Sequence, residues 1–119
     1  MQINFSNDKP IFMQFADIIK SDIISGKFKT GDKLPSVRDF ALNYAINPNT
    51  VQKSLQLLED EGLIVTDRTN GKFVAGNANL ITNHKNKTIS HEINLFIDKM
   101  KSLGLNIKEV KALINKLGE

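Results

Sequence analysis

Cysteine is absent from the 119 residues, which excludes disulfides and any metal site built on thiolates. No apolar run approaches the roughly 18 residues of a membrane span, so no membrane partner is expected. The opening MQINFSNDKP has neither the basic nor the apolar region of a signal peptide, and a cytoplasmic location follows as the expectation. There is no Gly-rich phosphate loop and no Ser/His/Asp constellation at recognisable spacing. His84 and His91 stand seven residues apart and can share a helix face. No paired carboxylate beside them completes a ligand set, so both read as surface histidines. Catalysis, metal and cofactor are therefore not expected. Internal repeats, the mark of a solenoid, are missing too. What remains is ordinary for a small globular chain: 40% hydrophobic and 24% charged.

An excess of one charge sign is nearly lacking where it would be most telling. The net charge is +3, yet up to Ala75 nine Lys/Arg balance nine Asp/Glu. Total charge therefore does not mark a nucleic-acid site. Placement says more. Lys27, Lys29, Lys33, Arg38 and Lys53 face only Asp32 and Asp39 between Lys27 and Lys53. The acids Glu59, Asp60 and Glu61 come later. Such an arrangement leaves the preceding half of that segment free to meet phosphates.

The most informative stretch is GDKLPSVRDFALNYAINPNTVQKSLQLLEDEG, residues 31–62. Ser36 is a good N-cap, and Asp39 three residues on can reach back to the cap amide. Asn47 caps a second helix, with Pro48 at its first position, where a missing N–H costs nothing. Two short helices over about 36–44 and 48–61, with a break of about three residues, form the helix-turn-helix pattern. An earlier helix spans about residues 10–25, with Ile11, Phe15, Ile18, Ile19 and Ile23 toward the core. Val37, Phe40 and Ala41, then Val51, Leu55 and Leu58, supply the rest. Residues 63–66 and 72–75 are β-rich, and Asn70-Gly71 between them is a hairpin signal because both tolerate positive φ. Three helices and a hairpin make a winged helix, with the hairpin tip as the wing.

Residues 76–87 are polar and Asn-rich and read as a connector. Beyond it Ile89, Ile93, Phe96, Ile97, Met100 and Leu103 form one apolar stripe. Gly104 interrupts it. Asn106 and Glu109 then signal a capping box before a second stripe of Ile107, Val110, Leu113, Ile114 and Leu117. A lone pair of amphipathic helices buries little area, so these stripes call for a partner surface. A second copy of the chain is the preferred partner over the winged helix, and a membrane surface is disfavoured because the lysines are spread. The fold class is thus mainly α with a small β-hairpin: a winged helix-turn-helix domain over 1–76, then a helical dimerisation tail over 77–119.

On a helical wheel Asn49, Gln52, Lys53 and Gln56 lie opposite Val51, Leu55 and Leu58. Asn and Gln pair with adenine, and Lys reaches guanine or phosphate. Thr50 sits at the flank, within reach of a phosphate or a thymine methyl. Any amphipathic helix has a polar back; the capped helix before this one and the hairpin after it are what favour DNA. Arg38 opens its helix where a cation opposes the macrodipole, which points to an external anion or else to an ion pair with a nearby acid such as Asp39. Arg68 and Lys72 flank the hairpin tip, where a merely solvated hairpin would look similar.

Together these residues resemble the GntR family of bacterial transcription regulators. The resemblance rests on Ser25-Gly26, Gly31, Leu34-Pro35-Ser36, Arg38, Thr50-Val51, Leu58-Glu59 and Glu61-Gly62-Leu63-Ile64, with Gly71 and Phe73-Val74 in the wing. It covers about residues 10–75. The variant LPSVRD with INPNTVQ and a short tail is similar to the YtrA-like subfamily. Many members carry Ser-Arg where this chain has Asn47-Pro48, and Arg where it has Gln52. The resemblance implies a repressor that binds a palindromic operator in double-stranded DNA as a homodimer, often beside ABC-transporter genes. The positions expected at DNA are Ser36, Arg38, Asn47, Asn49, Thr50, Gln52, Lys53, Gly71 and Lys72. Forty-four residues follow Ala75, too few to enclose an effector pocket, so no effector is assigned. A winged-helix protein-interaction module that never touches DNA is the reading from another class.

Overall fold

In the computed structural model, residues 4–118 are described. The elements run α1 (Ile11–Ile24), α2 (Val37–Tyr44), α3 (Pro48–Asp60), β1 (Ile64–Asp67), β2 (Gly71–Val74), α4 (Ala78–Ser102) and α5 (Ile107–Leu117). Contacts divide the chain into two compact units, Met1–His84 and Lys85–Glu119.

In the first unit the helical stripes close on one core. Phe15, Ala16, Ile19 and Ile23 of α1 are buried with Phe40 and Ala41 of α2 and Val51, Leu55 and Leu58 of α3. Leu34, Leu63, Ile64 and Val74 complete it. Phe15 meets Phe40 and Tyr44 edge-on, at centroid distances of 5.6 and 5.1 Å, the preferred geometry for aromatic pairs. Ile11 departs from the expected stripe: it lies in the first turn of α1 and stays exposed. Ser54 is the sole buried polar residue of the described core. Its hydroxyl lies 2.6 Å from the carbonyl of Phe12 in α1 and 2.9 Å from that of Thr50. One O–H thus ties α3 to α1.

The helix boundaries follow their caps. Ser36 Oγ accepts from the Asp39 amide at 3.1 Å, though the reciprocal bond, from the Ser36 amide to the Asp39 carboxylate, is not formed. Asn47 Oδ1 accepts from the Asn49 amide at 2.8 Å. Between the two helices Ala45 turns the chain with φ 54 and ψ 49, left-handed although it is not glycine.

β1 and β2 pair antiparallel, with Ile64 opposite Val74 and Asp67 opposite Gly71. The turn differs from the expected one. Only Gly71, at φ 104, takes positive φ; Asn70 does not. The Asp67 carboxylate accepts from the Thr69 and Asn70 amides at 2.8 and 3.1 Å and imposes a three-residue loop instead. The segment before α2 also joins the hairpin. The Leu34 amide donates to the Lys72 carbonyl at 2.8 Å, and the Val74 amide to the Asp32 carbonyl at 2.8 Å. These bonds stitch the entry to α2 onto the wing.

The connector expected over 76–87 is helix from Ala78 onward. Its Asn content conceals a cap: Asn77 Oδ1 accepts from the Leu80 amide at 3.2 Å. Leu80 and Ile81 then pack against the core. His84, read as a surface histidine, is half-buried, and its Nε2 donates to the Glu61 carbonyl at 3.0 Å. His91 is exposed.

In the second unit Gly104 takes φ 95 and the Leu105 amide returns to the Met100 carbonyl, closing the helix behind it. Asn106 and Glu109 form the expected capping box, with bonds of 2.8 and 3.1 Å. Val110 is buried, and Ile97 and Met100 are half-buried. Ile89, Ile93, Phe96, Leu103, Ile107, Leu113, Ile114 and Leu117 are exposed.

Candidate nucleic-acid interface

Burial sorts the residues of α3 into two faces. Val51, Ser54, Leu55 and Leu58 are buried, while Asn49, Gln52, Lys53 and Gln56 are exposed. Asn49, Gln52, Lys53 and Gln56 line one open groove together with Phe12, Leu57 and Asp60. Asn49, Thr50 and Lys53 line a second beside Ile11 and Phe12. The polar face read from the wheel is therefore continuous, and the first turn of α1 forms its bank.

Each side chain on this face is committed to a different degree. Asn49 and Gln52 have side-chain amides with no protein partner among the described residues, so both donor and acceptor are available to a base edge. Asn47 uses Oδ1 for its cap and keeps Nδ2 as a free donor at a helix N-terminus, where anions are favoured. Thr50 is half-buried. Gln56 is tied down, with Nε2 donating to Asp60 at 2.9 Å. The Lys53 ammonium lies 4.1 Å from the centre of the Phe12 ring, yet the residue remains exposed.

Ser36, Gly71 and Lys72 belong to a separate cleft between the entry to α2 and the wing, lined also by Lys33 and Arg68. Within it Lys72 is not a free cation. Its Nζ donates to Thr66 Oγ1 at 2.9 Å and pairs with Glu59 at 3.5 Å, leaving the side chain 16% exposed. This places Lys72 as a brace between wing and α3. Arg38 is exposed, and the alternative ion pair with Asp39 is not made.

Pairing also resolves the neutral charge count of this unit. Lys9, Lys20, Lys27 and Lys72 are each matched with an acid. Lys29, Lys33, Arg38, Lys53 and Arg68 are not, among the described residues. Three of these, Arg38, Lys53 and Arg68, stand at the opening of α2, on the exposed face of α3 and on the wing. The acid at the wing tip is Asp67. Amide bonds from Thr69 and Asn70, then the Asn70 side chain, hold its carboxyl below the usual carboxylate range.

No cluster of three or more His, Asp or Glu able to hold a metal occurs among the described residues. No helix there is long and apolar enough to cross a membrane.

A capped helix pair joined by a tight turn, packed on a third helix and flanked by a hairpin, is a winged helix-turn-helix DNA-binding domain. Comparison with known proteins narrows the class. Residues 13–74 match the family described as "Bacterial regulatory proteins, gntR family". The chain is 36% identical over 110 residues to the Bacillus subtilis "Uncharacterized HTH-type transcriptional regulator YhcF", covering 92% of this chain and 91% of that protein. It is 33% identical to the B. subtilis "HTH-type transcriptional repressor YtrA", over all of this chain and 87% of YtrA. A solved GntR family transcriptional regulator from Listeria monocytogenes superposes with a TM-score of 0.89 at 33% identity, covering 94% of this chain and 98% of its own. The chain belongs to the GntR family of transcription regulators, and it is not an enzyme.

Proposed function

We propose that this regulator is a homodimeric repressor that binds a two-fold symmetric operator. In this reading residues 1–76 read DNA and 77–119 hold the dimer together. The observation that carries the DNA-reading assignment is the exposed face of α3. Asn49 and Gln52 stand there with unpartnered amides, and the unpaired Arg38 opens the helix before it. Asn47 Nδ2, Thr50 and Lys53 add contacts at the N-terminal half of α3, and Ser36, Gly71 and Arg68 line or flank the wing cleft. Lys72 serves by holding the wing. The exposed stripes of α4 and α5 are the dimerisation surface, self-complementary about a two-fold axis. Two copies of α3 then meet half-sites about one helical turn apart. The name of the relative YtrA supports repression, and subfamily resemblance extends the targets to neighbouring ABC-transporter genes.

Arg38→Ala and Gln52→Ala test the site in opposite ways. Against a duplex enriched from a random pool by the wild type, Arg38→Ala should weaken binding to all sequences. It should also cut the slope of log affinity against log salt by about one per protomer. Gln52→Ala should leave the slope intact and relax preference at one base pair of each half-site. Unchanged binding in both variants would overturn the assignment.

A further inference from the structure

We infer that Phe12, at the start of α1, is a positioning residue for DNA recognition: its ring holds the Lys53 ammonium at the reading face. The inference rests on the DNA-binding reading above and extends it to a helix that the sequence offered only as core.

Three observations converge on Phe12. The ammonium of Lys53 sits 4.1 Å from its ring centroid, within the range in which a cation is drawn to the negative face of an aromatic ring. The Phe12 carbonyl lies 2.6 Å from the hydroxyl of buried Ser54, the residue after Lys53, so backbone and ring grip adjacent positions of α3. Phe12 also lines both grooves that hold Asn49 and Lys53. The ring is half-buried and the lysine exposed.

The consequence is electrostatic and entropic. A free lysine samples many rotamers and loses that freedom when it engages a phosphate or a guanine edge. A ring under one side of the ammonium narrows the rotamers before DNA arrives, and the donors on the other side stay free. Among the described residues no acid lies within ion-pair distance of Lys53, so the ring stabilises the charge without neutralising it. An acidic residue in the place of Phe12 would hold the lysine too, but would cancel what a phosphate requires.

The test is a double-mutant cycle on the full chain, using the duplex enriched by the wild type. Phe12→Leu removes the aromatic face and keeps apolar bulk; Lys53→Gln removes the charge. Lys53→Gln should reduce affinity about tenfold and lower the salt slope by about one per protomer. Phe12→Leu should cost about threefold per protomer in the wild-type background and nothing in the Lys53→Gln background. Phe12→Tyr should restore wild-type affinity. In the free protein, ring current should place the Lys53 ε-methylene protons upfield of the other lysines, and Phe12→Leu should abolish that shift. Equal losses from Phe12→Leu in both backgrounds, no loss in either, or an unshifted Lys53 resonance would each overturn the inference. If Phe12→Leu proves unfolded by circular dichroism, Phe12→Met is put through the same cycle and judged by the same results. Failure of the wild type to enrich any duplex would instead sink the DNA-binding reading, and this inference with it.

Discussion

Truncating Phe96 tests the assignment of the tail as a dimer surface. Phe96 and Ile93 stand one turn apart on α4 and are 44% and 54% exposed in the isolated chain. Fully burying such a side chain is worth about 1.5–3 kcal/mol, so roughly 1 kcal/mol remains to be gained from each when a partner covers it. A two-fold axis presents every residue twice. Phe96→Ala should therefore weaken the dimer by about 2 kcal/mol, close to thirtyfold in dissociation constant. The double change with Ile93→Ala should approach about 4 kcal/mol, near a thousandfold. Sedimentation velocity across nanomolar to high micromolar protein reads this directly. The thermal midpoint of the monomer at low concentration should barely move, because neither side chain belongs to the protomer core. Leu42 on α2 is 70% exposed and lies outside the tail, so Leu42→Ala should leave association untouched. A dissociation constant within threefold of wild type for the double variant would refute the assignment. Equal weakening by Leu42→Ala would show that the effect is not local to the tail.

Two other residues carry predictions about stability. Ala45 holds φ 54 in the turn between α2 and α3, a region that costs an L-residue about 1–2 kcal/mol. Ala45→Gly relieves that strain and loses about 0.4–1 kcal/mol through the unfolded chain, so a net gain of about 0.5–1 kcal/mol should raise the melting midpoint by several degrees. A lowered midpoint would show that Ala45 is not strained. At the wing tip, the Asp67 carboxylate is held below its usual range by Thr69 and Asn70, so its bonds stabilise the loop at neutral pH. That contribution is complete above the unfolded carboxylate's value, near pH 4, and fades as pH falls through the lower folded value. Carbon-detected NMR titration should find the Asp67 midpoint below the usual carboxylate range. Asp67→Ala should speed amide exchange at Thr69 and Asn70; an ordinary midpoint or unaltered exchange would dismiss the turn.

The features legible in the sequence were those whose causes lie within a few residues of each other. Ser36, Asn47 and Asn106 cap helices because a side-chain acceptor two or three positions ahead of a free amide suffices. The core faces of α1 to α3 followed from spacing alone, except at Ile11, which stays exposed at the first position of α1. The features that escaped all join distant positions. Residues 76–87 read as connector because only Leu80 and Ile81 there face the core, too few to set a period. The ion pair of Lys72 escaped because nothing local reveals that the hairpin register brings Glu59 beside it. Phe12 read as nothing at all, since its role exists only where α1 crosses α3.

The same distinction bears on the proposed reading of DNA by the amides of α3. Cationic contacts to phosphate tolerate loose placement, because a charge is felt over many ångströms. Amides do not: a bidentate contact from Asn49 or Gln52 needs hydrogen-bond distance and alignment. Reading with amides therefore demands that the axial position and rotation of α3 be fixed independently of DNA. The fold meets this demand at three points around the helix. Ser54 locks α3 to the carbonyl of Phe12, Lys72 braces its far end to the wing through Glu59, and His84 and Lys20 both bind Glu61 where it ends. None of the three needs to touch DNA, and loosening any of them should blur sequence preference before it weakens overall affinity.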